Sequence, residues 1–182
     1  MIGFSYNGIH SRTYDIVAKS VNRPILPVLR RRELATPGRH GTYDFNDNTF
    51  DKRIIEVELK YVGTSFNELR TRARSIASWL NGYDGNKNLI FDDETDKYYV
   101  GKIYSDIGLT NLFKLGETTI IFECEPFAYG TTTRGVTATV TASGSIVTVS
   151  SSGTFETPPI ITLQNNGLSA ITTFTLTREV LI

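Results

Sequence analysis

Two hydrophobic periods stand side by side in the middle of the chain. From Arg53 to Val62, Ile55, Val57, Leu59 and Tyr61 alternate with Glu56, Glu58 and Lys60, the period of two of a strand with one face buried. From Phe66 onwards, Leu69, Ala73, Ile76 and Leu80 recur at intervals of three and four, which draws one apolar stripe along a helix. Ser65 followed by Glu68 forms a capping box that satisfies orphan amide donors, so the helix is predicted over about residues 65–81. Gly82 is placed to stop it in the left-handed conformation.

The same alternation marks further strands. Asn88 to Phe91 and Lys97 to Tyr104 flank Asp92-Asp93-Glu94-Thr95-Asp96, a hairpin with an acidic turn. Thr118 to Glu125 sets Ile120, Phe122 and Cys124 against Thr119, Ile121 and Glu123 before Pro126 ends it. Residues 22–46 fit neither period: Pro24, Pro27 and Pro37-Gly38 interrupt Ile25-Leu26 and Val28-Leu29, and Arg30-Arg31-Arg32 follows. Such a segment suits an extended arm or hairpin better than a core element. The first unit, residues 1–130, is therefore expected to be mainly β (α+β), an antiparallel β-sandwich or barrel-like domain carrying one α-helix.

Composition adds a boundary that periodicity does not show. Of 38 charged residues only four lie in 131–182, a stretch with 20 Ser or Thr. Short alternating runs at 135–140, 145–149, 159–163 and 171–176, with turns at Gly144, Gly153 and Asn165-Asn166-Gly167, have the pattern of a β-sandwich. Four or so strands rarely complete one, so 131–182 is expected to be an incomplete C-terminal sandwich.

Charge and candidate chemistry narrow the function classes. Nineteen basic and nineteen acidic residues cancel, so no global field draws the chain to nucleic acid or an anionic membrane. The single cysteine, Cys124, excludes an intrachain disulfide and is expected to be a buried small hydrophobe. Met1 to Gly8 has neither a basic start nor a long apolar core, and no apolar run is long enough to span a bilayer, so neither secretion nor membrane insertion is expected from these residues. His10 and His40 have no carboxylate or cysteine at metal-ligand spacing. The acidic turn lacks the glycine and distal glutamate of a calcium loop and reads as a solvated turn. No catalytic, cofactor-binding or metal residue is assigned. Arg30, Arg31 and Arg32 could contact phosphate, face an acidic protein partner, or simply be solvated. Trp79, off the main stripe, is either a second-layer core residue or an interface anchor.

The order of these features has a counterpart. Phe4-Ser5-Tyr6-Asn7-Gly8, Arg23-Pro24-Ile25-Leu26-Pro27, Pro37-Gly38-Arg39-His40-Gly41-Thr42-Tyr43-Asp44, Leu89 to Glu94 with Tyr98-Tyr99-Val100, and Phe122 to Phe127 together resemble the distal tail proteins of long-tailed bacteriophages, over about residues 1–130. The resemblance implies a tail-tube-like N-terminal domain that forms a homohexameric ring, single or stacked, where the tail tube meets the tail-tip or baseplate proteins. It implies a structural protein of the virion tail, assembled in the host cytoplasm, with no enzymatic activity and no cofactor. An arm from one subunit would embrace its neighbour, mapped onto about 22–44, with Arg30, Arg31, Arg32, Pro37, Gly38, Arg39, His40 and Trp79 as oligomer-interface candidates. The family commonly adds a C-terminal sandwich of galectin or carbohydrate-module type.

Two other functions compete. A host-surface carbohydrate-binding adhesion module would stack sugars on exposed aromatics, and only Phe155 and Phe174 follow Tyr129. A tail-associated hydrolase would need a carboxylate pair or an activated nucleophile, and these residues assemble neither.

Overall fold

A computed structural model describes residues 2–45, 47–63, 65–104, 116–150 and 153–177. The chain divides into two compact units, Met1–Arg134 and Gly135–Ile182.

In the first unit the strands are β1 (Phe4–Tyr6), β2 (Ile9–His10), β3 (Ile16–Asn22), β4 (Glu33–Ala35), β5 (Thr42–Asp44), β6 (Arg53–Tyr61), β7 (Lys87–Phe91), β8 (Lys97–Ile103), β9 (Glu117–Cys124) and β10 (Tyr129–Gly130). A short 3-10 turn covers Ser11–Tyr14, and the α-helix, α1, covers Phe66–Trp79. The main sheet runs β2-β1-β7-β8-β9-β6-β3, with β10 added to β8, and its described pairings are antiparallel. It does not end at β3. Ile2, just before β1, exchanges two hydrogen bonds with Ala18 of β3, N–H to O at 3.1 and 2.8 Å. Strands β1, β7, β8, β9, β6 and β3 thus close into a barrel, which removes the edges an open sheet would expose.

Alternation explains what fills it. Ile55, Val57, Leu59 and Tyr61 of β6 are buried, as are Ile120, Phe122 and Cys124 of β9, Leu89 and Phe91 of β7, and Phe4 and Tyr6 of β1. Aromatic rings form the centre: Phe4 meets Phe122 edge-on at 6.1 Å and Phe91 at 6.2 Å.

Helix α1 continues this interior. Ser65 caps it, its hydroxyl accepting the Glu68 N–H at 3.5 Å. Leu69, Ile76 and Leu80 of the expected stripe are buried and Ala73 half-buried, while the Phe66 side chain lies outside the described residues. The helix stops earlier than Gly82, however. Leu80 is the cap, at φ −85°, with its N–H bonded to the Ile76 carbonyl, and Gly82 is not left-handed. A Cβ on Gly82 would lie 2.7 Å from the Ile103 carbonyl oxygen, so its small size serves the close approach to β8.

The acidic turn between β7 and β8 is a mostly exposed hairpin turn, as expected. Three of its carboxylates also anchor other segments: Asp92 accepts from the Gly3 N–H and the His10 Nε2–H, both at 3.0 Å, and Asp93 and Glu94 accept from Arg23.

In the second unit the described residues form no strand ladder, and their apolar side chains, Val147, Val149, Ile161 and Leu163 among them, are exposed. Short strands need partners to bury one face.

Candidate assembly interface

Between β3 and β6 the chain leaves the barrel as a long hairpin. Its legs are joined by hydrogen bonds from Asp51 N–H to the Val28 carbonyl (2.7 Å), Arg30 N–H to Thr49 (2.8 Å) and Phe45 N–H to Arg32 (3.0 Å). Beyond these, β4 and β5 pair Glu33 with Asp44, Leu34 with Tyr43 and Ala35 with Thr42. The tip closes with the Arg39 N–H on the Thr36 carbonyl at 3.2 Å, and Gly38 and Gly41 both sit at φ +80°, a conformation that side-chain-bearing residues resist.

Because side chains alternate along a strand, the ribbon has two different faces. Leu34, Tyr43 and Phe45 share one; Tyr43 and Phe45 meet edge-on at 5.1 Å, and the Arg32 guanidinium lies 5.8 Å from the Phe45 ring centre. Glu33, Thr42 and Asp44 share the other, with the Thr42 hydroxyl donating to Glu33 at 2.8 Å. The apolar face is about half exposed: 54% for Leu34, 52% for Tyr43 and 50% for Phe45. A two-stranded ribbon cannot bury a face on itself.

The candidate residues separate cleanly. Arg30, Arg31 and Arg32 lie on the outgoing leg and Pro37, Gly38, Arg39 and His40 at the tip, all exposed. Arg30 approaches Asp51 at 3.9 Å. Trp79 does not belong with them. It is 4% exposed, stacked on Phe4 at 5.7 Å and near Tyr14 at 5.2 Å, and its indole N–H donates to the Tyr6 carbonyl at 2.8 Å. It is a core residue of the barrel–helix junction, because its large ring fills the space beside β1 and its one polar atom finds a buried acceptor.

The arm's charge is also more even than its three adjacent arginines suggest. Between Arg30 and Asp51, Arg30, Arg31, Arg32 and Arg39 face Glu33, Asp44, Asp47 and Asp51. A docking surface for this ribbon therefore needs apolar complementarity more than strong opposite charge.

Sequence reasoning missed Leu34, Tyr43 and Phe45 as the exposed apolar face of the arm. The available signal was the alternation mirrored about Pro37-Gly38, which becomes visible only once the turn is known.

Elsewhere, the ionisable groups serve the fold. His10 Nδ1 accepts the Arg12 N–H at 3.2 Å while Nε2 donates to Asp92, an arrangement that caps the 3-10 turn. Burial pushes the Cys124 thiol up to about 12, leaving it a poor nucleophile. Among the described residues no three His, Cys, Asp or Glu stand close enough to hold a metal, and no helix is long and apolar enough to cross a membrane.

Residues 12–124, which take in the arm, α1 and the barrel strands from β3 to β9, match the phage tail protein RIFT-related domain. The chain belongs to that family. Its place is accordingly the phage tail, as a structural component. Among solved structures this tail domain is similar to the Dit protein of SPP1, described as a paradigm of the hub adsorption apparatus in phages that infect Gram-positive hosts. The TM-score is 0.58 at 21% identity, covering 71% of this chain and 52% of that one, so the likeness establishes a shared fold, and this chain matches about half of the Dit protein's length. No curated protein matches.

Proposed function

We propose that the chain is a distal tail protein that assembles, through its arm, into a homohexameric ring joining the tail tube to the tail-tip or baseplate proteins. One observation carries this reading: a closed barrel with an apolar interior of its own extends a ribbon with Leu34, Tyr43 and Phe45 exposed on one face. A neighbouring subunit in a ring supplies the covering layer at no cost in further sequence. The tail-domain match and the Dit-like fold support the same reading. Residues 131–182 belong, on this reading, to a separate sandwich module. The exposed, alternating Val147 and Val149, and Ile161 and Leu163, favour strands that pair outside the described segment.

Light scattering of the full chain across a concentration series, with negative-stain imaging, tests the ring. Six-fold particles are expected, and a strict monomer without rings overturns self-assembly. Arg31→Glu combined with Arg32→Glu is expected to weaken ring formation while leaving the monomer folded; unchanged sedimentation of that variant removes these two arginines from the interface, and unchanged sedimentation of Leu34→Ser combined with Tyr43→Ser removes the arm's apolar face.

A further inference from the structure

The arm's root is held differently from the rest of it. The chain leaves the barrel after Asn22, the last residue of β3, and the next side chain, Arg23, is only 20% exposed. Its Nη2 donates to Asp93 Oδ2 at 2.6 Å and its Nη1 to Glu94 Oε2 at 3.3 Å, while the guanidinium carbon lies 4.7 Å from the Phe91 ring centre. A planar cation with two acceptors and a stacked ring has one orientation available to it.

The returning leg is tied to the same group. Glu94 Oε2 also accepts the Tyr99 hydroxyl at 2.9 Å. Arg53, the first residue of β6 and 8% exposed, sits 5.5 Å from the Tyr99 ring centre and donates from Nε to the Pro126 carbonyl at 2.9 Å. Outgoing and returning legs are thus linked as Arg23–Glu94–Tyr99–Arg53. Between Arg23 and the first cross-leg bond at Val28 the chain has Pro24 and Pro27, with Ile25 98% exposed. Proline fixes φ, so the bend at Ile25 and Leu26 lies between two restrained positions and limits how far the ribbon can swing from the direction set at Arg23.

We infer that Arg23 and Arg53, joined through Glu94 and Tyr99, form a clamp that sets the direction in which the arm leaves the barrel and so positions it for self-association. The consequence for assembly rests on the arm reading above; the clamp itself does not. An isolated exposed ion pair would have little power to do this, and what distinguishes this one is the low exposure of Arg23, its stacking on Phe91 and the acceptor, Glu94, that it shares with Tyr99. The acidic turn between β7 and β8 is the receptor for the arm's base.

Spin labels at Thr36→Cys near the arm tip and Asn88→Cys on β7 measure the direction in the full chain, diluted with unlabelled chain so that distances stay within one subunit. Cys124, buried and with its thiol pushed up to about 12, is expected to stay unlabelled in the folded protein. The parent is expected to give a single narrow distance peak. Arg23→Gln and, acting from the other side, Asp93→Asn are expected to lose it to a broad distribution while circular dichroism stays that of a folded barrel. Arg72→Gln, which removes a separate ion pair to Asp15 at 3.2 Å, is expected to keep the peak. A peak that stays narrow and unshifted in either folded clamp variant overturns the inference, even where the parent forms rings. Broadening in the variants of a parent that never assembles supports the clamp and overturns the ring.

Discussion

At the scale of single residues, burial decides chemistry in the barrel. Cys124 pairs with Gly101 across β8 and β9 and is 2% exposed, and a Cβ on that glycine would lie 2.5 Å from the Cys124 Sγ, so the thiol fills the space the glycine leaves. Desolvation raises its pKa from 9.0 to about 12, and burial likewise raises Tyr6 and Tyr99 from 10.0. For an acid whose folded-state pKa is raised, the unfolded chain loses its proton first. Stability is therefore complete below 9 and declines as pH rises from 9 towards 12. Urea midpoints at about pH 7.5 and about pH 10.5 check this: the midpoint is expected to fall at the higher pH, and to fall less in Cys124→Ala. Trp79 shows the same rule in another form. Its spacing off the main stripe was legible, but whether an aromatic near a helix end faces inward depends on what lies opposite, here Phe4 and the Tyr6 carbonyl.

At the scale of elements, local signals succeed where the element's own chain supplies the partners. The Ser65 cap, the stripe through Leu69, Ile76 and Leu80, and the alternation of β6 and β9 were all readable. The helix stop at Gly82 was misread because a glycine after an apolar stripe serves equally as a left-handed cap or as room for a neighbour, and the neighbour, Ile103, is 21 residues away in sequence. For the arm, the prolines and weak core pattern pointed to a protruding segment, but the apolar face and the clamp at its base depend on register. The described backbone hydrogen bonds between Val28 and Asp51 run within the hairpin, while at its base the Phe50 ring meets Phe127 edge-on at 5.4 Å. Replacing residues 30–48, which leaves that contact in place, by a short Gly/Ser linker is therefore expected to change barrel stability by about 1 kcal/mol or less and to abolish self-association. Thermal melting and light scattering of the same sample read both.

At the scale of the whole molecule, the core belongs to one unit. Every buried apolar residue among those described lies between Phe4 and Cys124. A chain ending after Arg134 is expected to unfold cooperatively with a stability within about 1 kcal/mol of the full chain's barrel transition, as chemical denaturation followed by Trp79 fluorescence would show. Loss of cooperativity in that shorter chain would place part of the barrel's support beyond residue 134.

What could be read from residues in order was whatever repeats at two or three to four positions, together with the change of composition near residue 130. These features arise from backbone geometry and from the tally of side chains, and neither requires a distant partner. Closure of the sheet by Ile2 and Ala18, the inward turn of Trp79, and the meeting of Arg23 with an acidic turn 70 residues further on all join groups far apart in the chain. No local period encodes such meetings, because each depends on where the barrel has already brought the other half.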